Sequence, residues 1–180
     1  MVILDRDGVI NEDSDNYIKS PEEWVPIPGS LEAIARLNNA GAVVTVATNQ
    51  SGIGRGLFSI NELNRIHAKF RDALARVGGH VDGIFFCPHT PEAQCECRKP
   101  APGLLRAISL RFATGLRDTP IIGDSLRDIE AARAANANPV LVRSGKGMFT
   151  QQNSPDLHNV PCFDDLADAV DHLLSGQRHS

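Results

Sequence analysis

No stretch of the 180-residue sequence approaches the roughly 18 unbroken apolar residues that a membrane-spanning helix needs. The richest run, Ala42 to Ala47, is already interrupted by Thr45, so a soluble protein is expected. An excess of positive charge is also missing: 18 Lys and Arg stand against 22 Asp and Glu, for a net charge of -4. No global field then gathers the chain onto nucleic acid or an anionic membrane, and an anionic ligand has to be held by local groups. The N-terminus carries Asp5, Arg6 and Asp7 where a secretory signal needs a basic start and an apolar segment, which points to a cytoplasmic location. Cysteines number only four, which could suggest a disulfide pair. Cys87, Cys95 and Cys97 crowd beside His89 while Cys162 stands far away, which is metal spacing in a reducing compartment. What remains is ordinary: 42% hydrophobic residues, with the 15 glycines added and Tyr17 left out, make about half the chain. That composition excludes disordered, collagen-like and coiled-coil classes, and the length fits one domain over residues 1–180.

Short β-rich apolar runs alternate with helical patterns, the signature of βαβ units around a mainly parallel sheet in a doubly wound α/β fold. Strands are expected at Val2 to Leu4, Val43 to Thr48, Val81 to Phe86, Pro120 to Ile122 and Pro139 to Val142. Leu31, Ile34, Ala35 and Leu37 recur at helical spacing after a Ser30 cap, with Gly41 as the stop. Further helices fit Ile60 to Val77, Leu104 to Phe112, Leu126 to Asn136 and Asp164 to Leu174. Asn11 to Gly29 and Arg143 to Pro161 read as long loops at strand ends. Fewer than about 40 residues separate the first two strands, too few for a folded cap domain beside a crossover helix. In an open α/β sheet the ligand site lies outside the carboxyl ends of the strands, so the residues after each strand should carry the chemistry.

After the first strand stands Asp5-Arg6-Asp7-Gly8. Two carboxylates at i and i+2 project to one side of an extended chain, where they can share a divalent cation or attack and protonate one substrate. The second strand ends in Thr48-Asn49-Gln50-Ser51-Gly52-Ile53-Gly54-Arg55-Gly56, a run of backbone donors, a hydroxyl and an Arg fork suited to a phosphate. It matches neither the Walker loop nor the dinucleotide fingerprint, since no Lys-Ser/Thr follows the glycines. Cys87, His89, Cys95 and Cys97 make a full tetrahedral zinc set, closed as structural sites are, and such a metal would hold the following Arg98 and Lys99 at the sheet edge. After the fourth strand, Asp124 can complete an oxygen shell for Mg2+ with the first pair, although alone it would read as a helix cap.

Taken in order, these segments resemble the four motifs of the haloacid dehalogenase-like phosphohydrolases, over Val2 to about Val142. The Cys-x-His...Cys-x-Cys-Arg-Lys-Pro and Thr-Asn-Gln-Ser-Gly-Ile-Gly-Arg-Gly segments look like the D-glycero-D-manno-heptose 1,7-bisphosphate 7-phosphatase family. Histidinol-phosphate phosphatases share the zinc loop, and Arg55-Gly56 is the feature that points to the heptose family. Ser125 departs from the pattern, since some members carry Lys there. The resemblance implies a Rossmann-like fold and a monomer that uses catalytic Mg2+ and structural Zn2+ on a small sugar phosphate, in lipopolysaccharide-core heptose biosynthesis. It implies Asp5 as nucleophile, Asp7 as acid and base, and Asp5, the Asp7 carbonyl and Asp124 as Mg2+ ligands. Thr48, Asn49 and Lys99 would bind the transferring phosphoryl group, with Gln50, Ser51, Arg55 and Arg98 around the rest of the substrate. Arg127 and Asp128 are left between cap and supporting roles. A polynucleotide 3'-phosphatase shares the Gly-rich loop, but the acidic balance and the lack of a basic stripe oppose it. A catalytically silent zinc module would not need Asp5, Asp7, Thr48, Lys99 and Asp124 together.

Overall fold

A computed structural model describes residues 1–176 and places six strands in one sheet. They are β1 (Val2–Leu4), β2 (Val44–Asn49), β3 (Gly83–Cys87), β4 (Pro120–Gly123), β5 (Asn138–Val142) and β6 (Cys162–Phe163). The helices are α1 (Ser30–Asn39), α2 (Ser51–Gly54), α3 (Ile60–Arg76), α4 (Gly103–Phe112), α5 (Leu126–Ala134), α6 (Gly147–Asn153) and α7 (Leu166–Gly176). The order across the sheet is β3-β2-β1-β4-β5-β6, and every neighbouring pair is parallel. Side chains of a strand alternate between faces, and both faces here are apolar. Val2, Leu4, Val44, Val46, Ile122 and Val140 pack against α1, α3 and α7, whereas Ile3, Ala47 and Ile121 pack against α4 and α5. On α3 the stripe Leu63, Ile66, Phe70 and Leu74 is wholly buried, each side chain contributing about 1.5–3 kcal/mol of transfer free energy. Ser59 caps this helix by accepting from the Glu62 N–H at 3.2 Å, and Gly78 turns out of it at φ 78°.

The doubly wound parallel fold is as expected, with local corrections. Ser30 does not cap α1: Gly29 occupies that position, and the Ser30 hydroxyl donates to the Ile10 carbonyl at 2.7 Å. β3 starts at Gly83 rather than Val81 because the Asp82 carboxylate accepts the Val44 N–H at 2.8 Å and takes the place of a ladder bond. α5 ends at Ala134, two residues before the expected Asn136, and α7 begins at Leu166 rather than Asp164. The expected loop after β5 contains α6, and β6 follows it; neither is long or periodic enough to read from sequence. α2 likewise forms within the glycine-rich run, held by Gly54 N–H donating to the Pro88 carbonyl at 2.9 Å. Between β1 and β2 the described residues hold one 3-10 turn, Pro21–Glu23, and α1, with no folded cap. Strand order reverses between β1 and β4, so the loops leaving these two strands diverge and open a crevice at their carboxyl ends.

Candidate active site

Asp5 leaves β1 and Asp124 leaves β4, one on each side of that crevice, and their carboxylates gather with that of Asp128 within 4.8 Å. Lys99 is buried against them. Its ammonium donates to Asp128 Oδ1 at 2.5 Å, the Ala47 carbonyl at 2.7 Å and Asp5 Oδ1 at 3.0 Å, so all three hydrogens have acceptors. Burial alone would lower the Lys99 pKa, but Asp128 and Asp5 outweigh it and hold the group charged. One cation faces three carboxylates. Burial, with Asp5 and Asp128 adding to it, therefore pushes Asp124 up to about 8, while burial pushes Asp5 up to about 6 against the pull of Lys99. Asp5 Oδ1 also accepts the Arg6 N–H at 2.8 Å, and Oδ2 takes no protein donor among the described residues. Gly8 and Gly145 back the Asp124 carboxylate so closely that an added Cβ would lie 2.1 and 2.3 Å from Oδ2, and both have positive φ.

Asp7 lies outside this cluster because other donors draw its carboxylate aside. Arg6 Nη2 reaches Oδ1 and Oδ2 at 2.8 and 3.0 Å, Asn11 Nδ2 reaches Oδ1 at 2.9 Å, and Gln50 Nε2 reaches Oδ2 at 2.9 Å. Burial would raise the Asp7 pKa, but Arg6, Asn11 and Gln50 overcome it and hold the carboxyl below its usual range. Gln50 also donates to Thr48 Oγ1 at 2.9 Å, which leaves the Thr48 O–H to donate into the cavity. Gln50, expected as a substrate contact, lines the cavity and gives its two amide hydrogens to Asp7 and Thr48. Asn49 clamps Lys99 by accepting its N–H at 3.1 Å and donating to its carbonyl at 3.0 Å. Ser125 bonds Asp128 Oδ2 through both N–H and hydroxyl, at 3.1 and 2.5 Å, while it also lines the cavity.

The four expected zinc ligands converge. Cys87, Cys95 and Cys97 sulfurs stand 3.2–3.5 Å apart, and His89 Nδ1 lies 3.6 and 3.4 Å from Cys87 and Cys97. A tetrahedron with Zn–S near ~2.3 Å and Zn–N near ~2.0 Å has edges of about 3.5–3.8 Å, so this donor set fits zinc closely and is far too open for disulfides. The loop delivers Arg98, whose Nη1 donates to the His89 carbonyl at 3.3 Å, to the rim of a cavity of about 320 Å³. Asp5, Asp7, Thr48 and Lys99 line that cavity, and Arg55, Arg98, Arg127 and Lys146 stand around it. Arg98 has its pKa lowered by burial and by Arg127 and Arg55 nearby, and none of these three arginines has an acidic partner among the described residues. Ser51 also lines the cavity.

A HAD-hydrolase-like family model matches residues 96–169. A D-glycero-beta-D-manno-heptose-1,7-bisphosphate 7-phosphatase of Bordetella bronchiseptica is 50% identical over 97% of each chain. Its counterpart in Pseudomonas putida is 52% identical over 97% of this chain and 99% of that one. The chain belongs to this phosphatase family. A crystal structure of D,D-heptose 1,7-bisphosphate phosphatase from B. bronchiseptica complexed with magnesium and phosphate superposes with a TM-score of 0.95, at 50% identity, covering 97% of this chain and 98% of that one. Family membership makes the chain a haloacid-dehalogenase-like phosphoric monoester hydrolase.

Within this family frame, the expected catalytic residues Asp5, Asp7, Thr48 and Lys99 do converge on one cavity with Asp124. Arg6, Asn11, His67 and Lys146 were not foreseen. Lys146 donates its N–H to Asp124 Oδ2 at 2.8 Å and pairs its ammonium with Asp13 and Asp15 at 3.1 and 3.3 Å, tying the loop after β1 to the cavity wall. Asp128 carried a legible signal in its spacing from Ser125, three residues on, as in a capping box. His67 carried a weaker one: it sits on the buried stripe of α3 between Leu63 and Phe70, a polar ring on an apolar face.

Proposed function

We propose that the chain removes the 7-phosphate of D-glycero-D-manno-heptose 1,7-bisphosphate through an aspartyl-phosphate on Asp5, within heptose biosynthesis for lipopolysaccharide core. The observation that carries this is the meeting of Asp5, Asp124, Asp128 and Lys99 at the β1/β4 crevice, under a rim of unpaired arginines. Magnesium suits this hard, carboxylate-rich and under-neutralised cluster, held by Asp5, Asp124 and the Asp7 carbonyl, where it would supply positive charge to the phosphoryl oxygens. Asp5 Oδ2 attacks phosphorus while Lys99 fixes Oδ1 and offsets its charge. Thr48 donates its O–H, and the Asn49 N–H its hydrogen, to the transferring oxygens, whose charge is spread in a loose transition state. Asp7, ionised in the free site, takes up a proton from water as the phosphate dianion arrives beside it and raises its proton affinity, and it gives that proton to the departing sugar oxygen as the P–O bond breaks. Asp7 then takes a proton from the water that attacks phosphorus and frees Asp5 and inorganic phosphate.

Arg55, Arg98 and Arg127 offer a second anion a cationic rim, which suits a bisphosphate better than a monophosphate. Zinc on Cys87, His89, Cys95 and Cys97 holds the loop that brings Arg98 and Lys99. The enzyme is proposed as one domain over 1–180, a cytoplasmic monomer without nucleic-acid or membrane partners; residues 177–180 lie outside the described ones. Rates on heptose bisphosphate and histidinol phosphate test the assignment. A higher kcat/KM on histidinol phosphate would sink the substrate, and retention of turnover in Asp5→Asn would sink the covalent route.

A further inference from the structure

We propose that Arg6 and His67 are positioning residues for proton transfer, holding the Asp7 carboxylate in one orientation from behind the cavity. The proposal rests on the reading of Asp7 as acid and base. Arg6 is fully buried, and taking a guanidinium out of water costs free energy that only a well-placed partner offsets. Its fork is spent on its own neighbour in sequence. Nε donates to Asp7 Oδ1 at 3.1 Å, and Nη2 donates to Oδ1 and Oδ2 at 2.8 and 3.0 Å. Such planar, charge-assisted contact fixes the plane of a carboxylate, which a single point charge does not.

The remaining terminal nitrogen, Nη1, lies 3.4 Å from His67 Nε2. A guanidinium only donates, so Nε2 must offer its lone pair and the ring is neutral with its proton on Nδ1. Burial and the nearby Arg6 and Arg71 cations agree, pushing His67 down to about 3. The ring is seated in turn on the edge of Phe86, with centroids 6.3 Å apart. From Asp7 the line continues through Oδ2 to Gln50 Nε2, and from Gln50 to Thr48 Oγ1. A continuous series of hydrogen bonds therefore runs from α3 to the residue proposed to bind the phosphoryl group, with the acid in its middle. Asp7 owes its aim to this support rather than to its own two rotatable bonds, and misplacement of a reacting group by about 1 Å can cost about a hundredfold in rate.

The test compares kcat/KM on heptose bisphosphate, an alkyl ester, with para-nitrophenyl phosphate, whose good leaving group needs little proton assistance. This ratio reports the first transfer, in which the ester bond breaks. Asp7→Asn is expected to lose about a thousandfold on the alkyl ester and about tenfold on the aryl ester. Arg6→Lys keeps the charge without the fork and should lose about a hundredfold on the alkyl ester but only about threefold on the aryl ester. His67→Leu should lose about tenfold on the alkyl ester alone, and His67→Gln, whose amide oxygen can accept from Nη1, should recover most of it. Equal losses on both esters in Arg6→Lys and His67→Leu mark a merely structural role and overturn the proposal, as does full activity. If Arg6→Lys fails to fold, the His67 pair decides, and equal kcat/KM for His67→Leu and His67→Gln overturns it. An Asp7→Asn defect equal on both esters would instead sink the acid-base reading and this proposal with it. A steep Asp7→Asn difference beside flat Arg6 and His67 variants overturns the positioning alone.

Discussion

Lys99→Met removes the cation on which the site's charge balance depends. In the wild type its buried ammonium meets Asp128 Oδ1, the Ala47 carbonyl and Asp5 Oδ1 at 2.5, 2.7 and 3.0 Å. Methionine keeps the stem and packs comparably, but leaves the buried Asp128 and part-buried Asp5 carboxylates without their partner. Breaking a buried pair on one side costs about 3–5 kcal/mol, and the stranded Ala47 carbonyl adds about 1 kcal/mol. A loss of about 4–6 kcal/mol should lower the melting temperature by about 8–24 °C for a chain of this size. The sign with pH follows from the same charges. Asp5, already held up at about 6 by burial against the pull of Lys99, rises further without that cation, so the variant's stability is greatest in acid and is lost as pH rises toward and through the raised value. Denaturant melts without added magnesium at pH 5 and pH 8 should show the defect largest at pH 8. A loss under about 1 kcal/mol at pH 8, or the same loss at both pH values, would refute the balance argued for Lys99.

Three further outcomes are expected. His67, held neutral with its pKa at about 3, contributes stability that is fully present above about 6.5 and lost as pH falls toward about 3; His67→Gln should thus be about 2–3 kcal/mol less acid-sensitive between pH 7.5 and 4.5 in urea titrations. Zinc should copurify at about one equivalent per chain, and Cys95→Ser should release it and lower kcat/KM more on the bisphosphate than on para-nitrophenyl phosphate; native protein without zinc would count against the closed site. Gly8→Ala forces a methyl to within 2.1 Å of Asp124 Oδ2 at φ 81°, so it should cost about 1–3 kcal/mol and raise the magnesium concentration for half activity about tenfold, read by titrating the metal.

The chemistry was legible in the sequence because it lies at strand ends, and strand ends are marked by a switch from apolar runs to polar residues. Asp5, Thr48, Cys87 and Asp124 each follow or close such a run, and the parallel α/β pattern brings carboxyl ends to one edge. The cluster of Cys87, His89, Cys95 and Cys97 was legible because its four donors lie within one loop, where spacing alone limits geometry. The sequence also carried the absence of a cap between β1 and β2, through the shortness of that connection.

Tertiary structure decided what depends on partners distant in sequence. That Asp7 stands apart from Asp5 follows from the Arg6 fork and from Gln50, 43 positions away, and neither is visible in an Asp-x-Asp motif. His67 reaches Arg6 across 61 positions, only because α3 packs against the β1 face. Lys146 meets Asp13 and Asp124 through α6, a polar seven-residue helix with no apolar period, held by Thr150 donating to the Asp124 carbonyl at 2.9 Å. Local composition and period determine which elements form and which residue types end them. The direction of a buried charge is set by whichever donors the packed elements bring within about 3 Å, and that becomes fixed only once the sheet and both helical layers have closed around it.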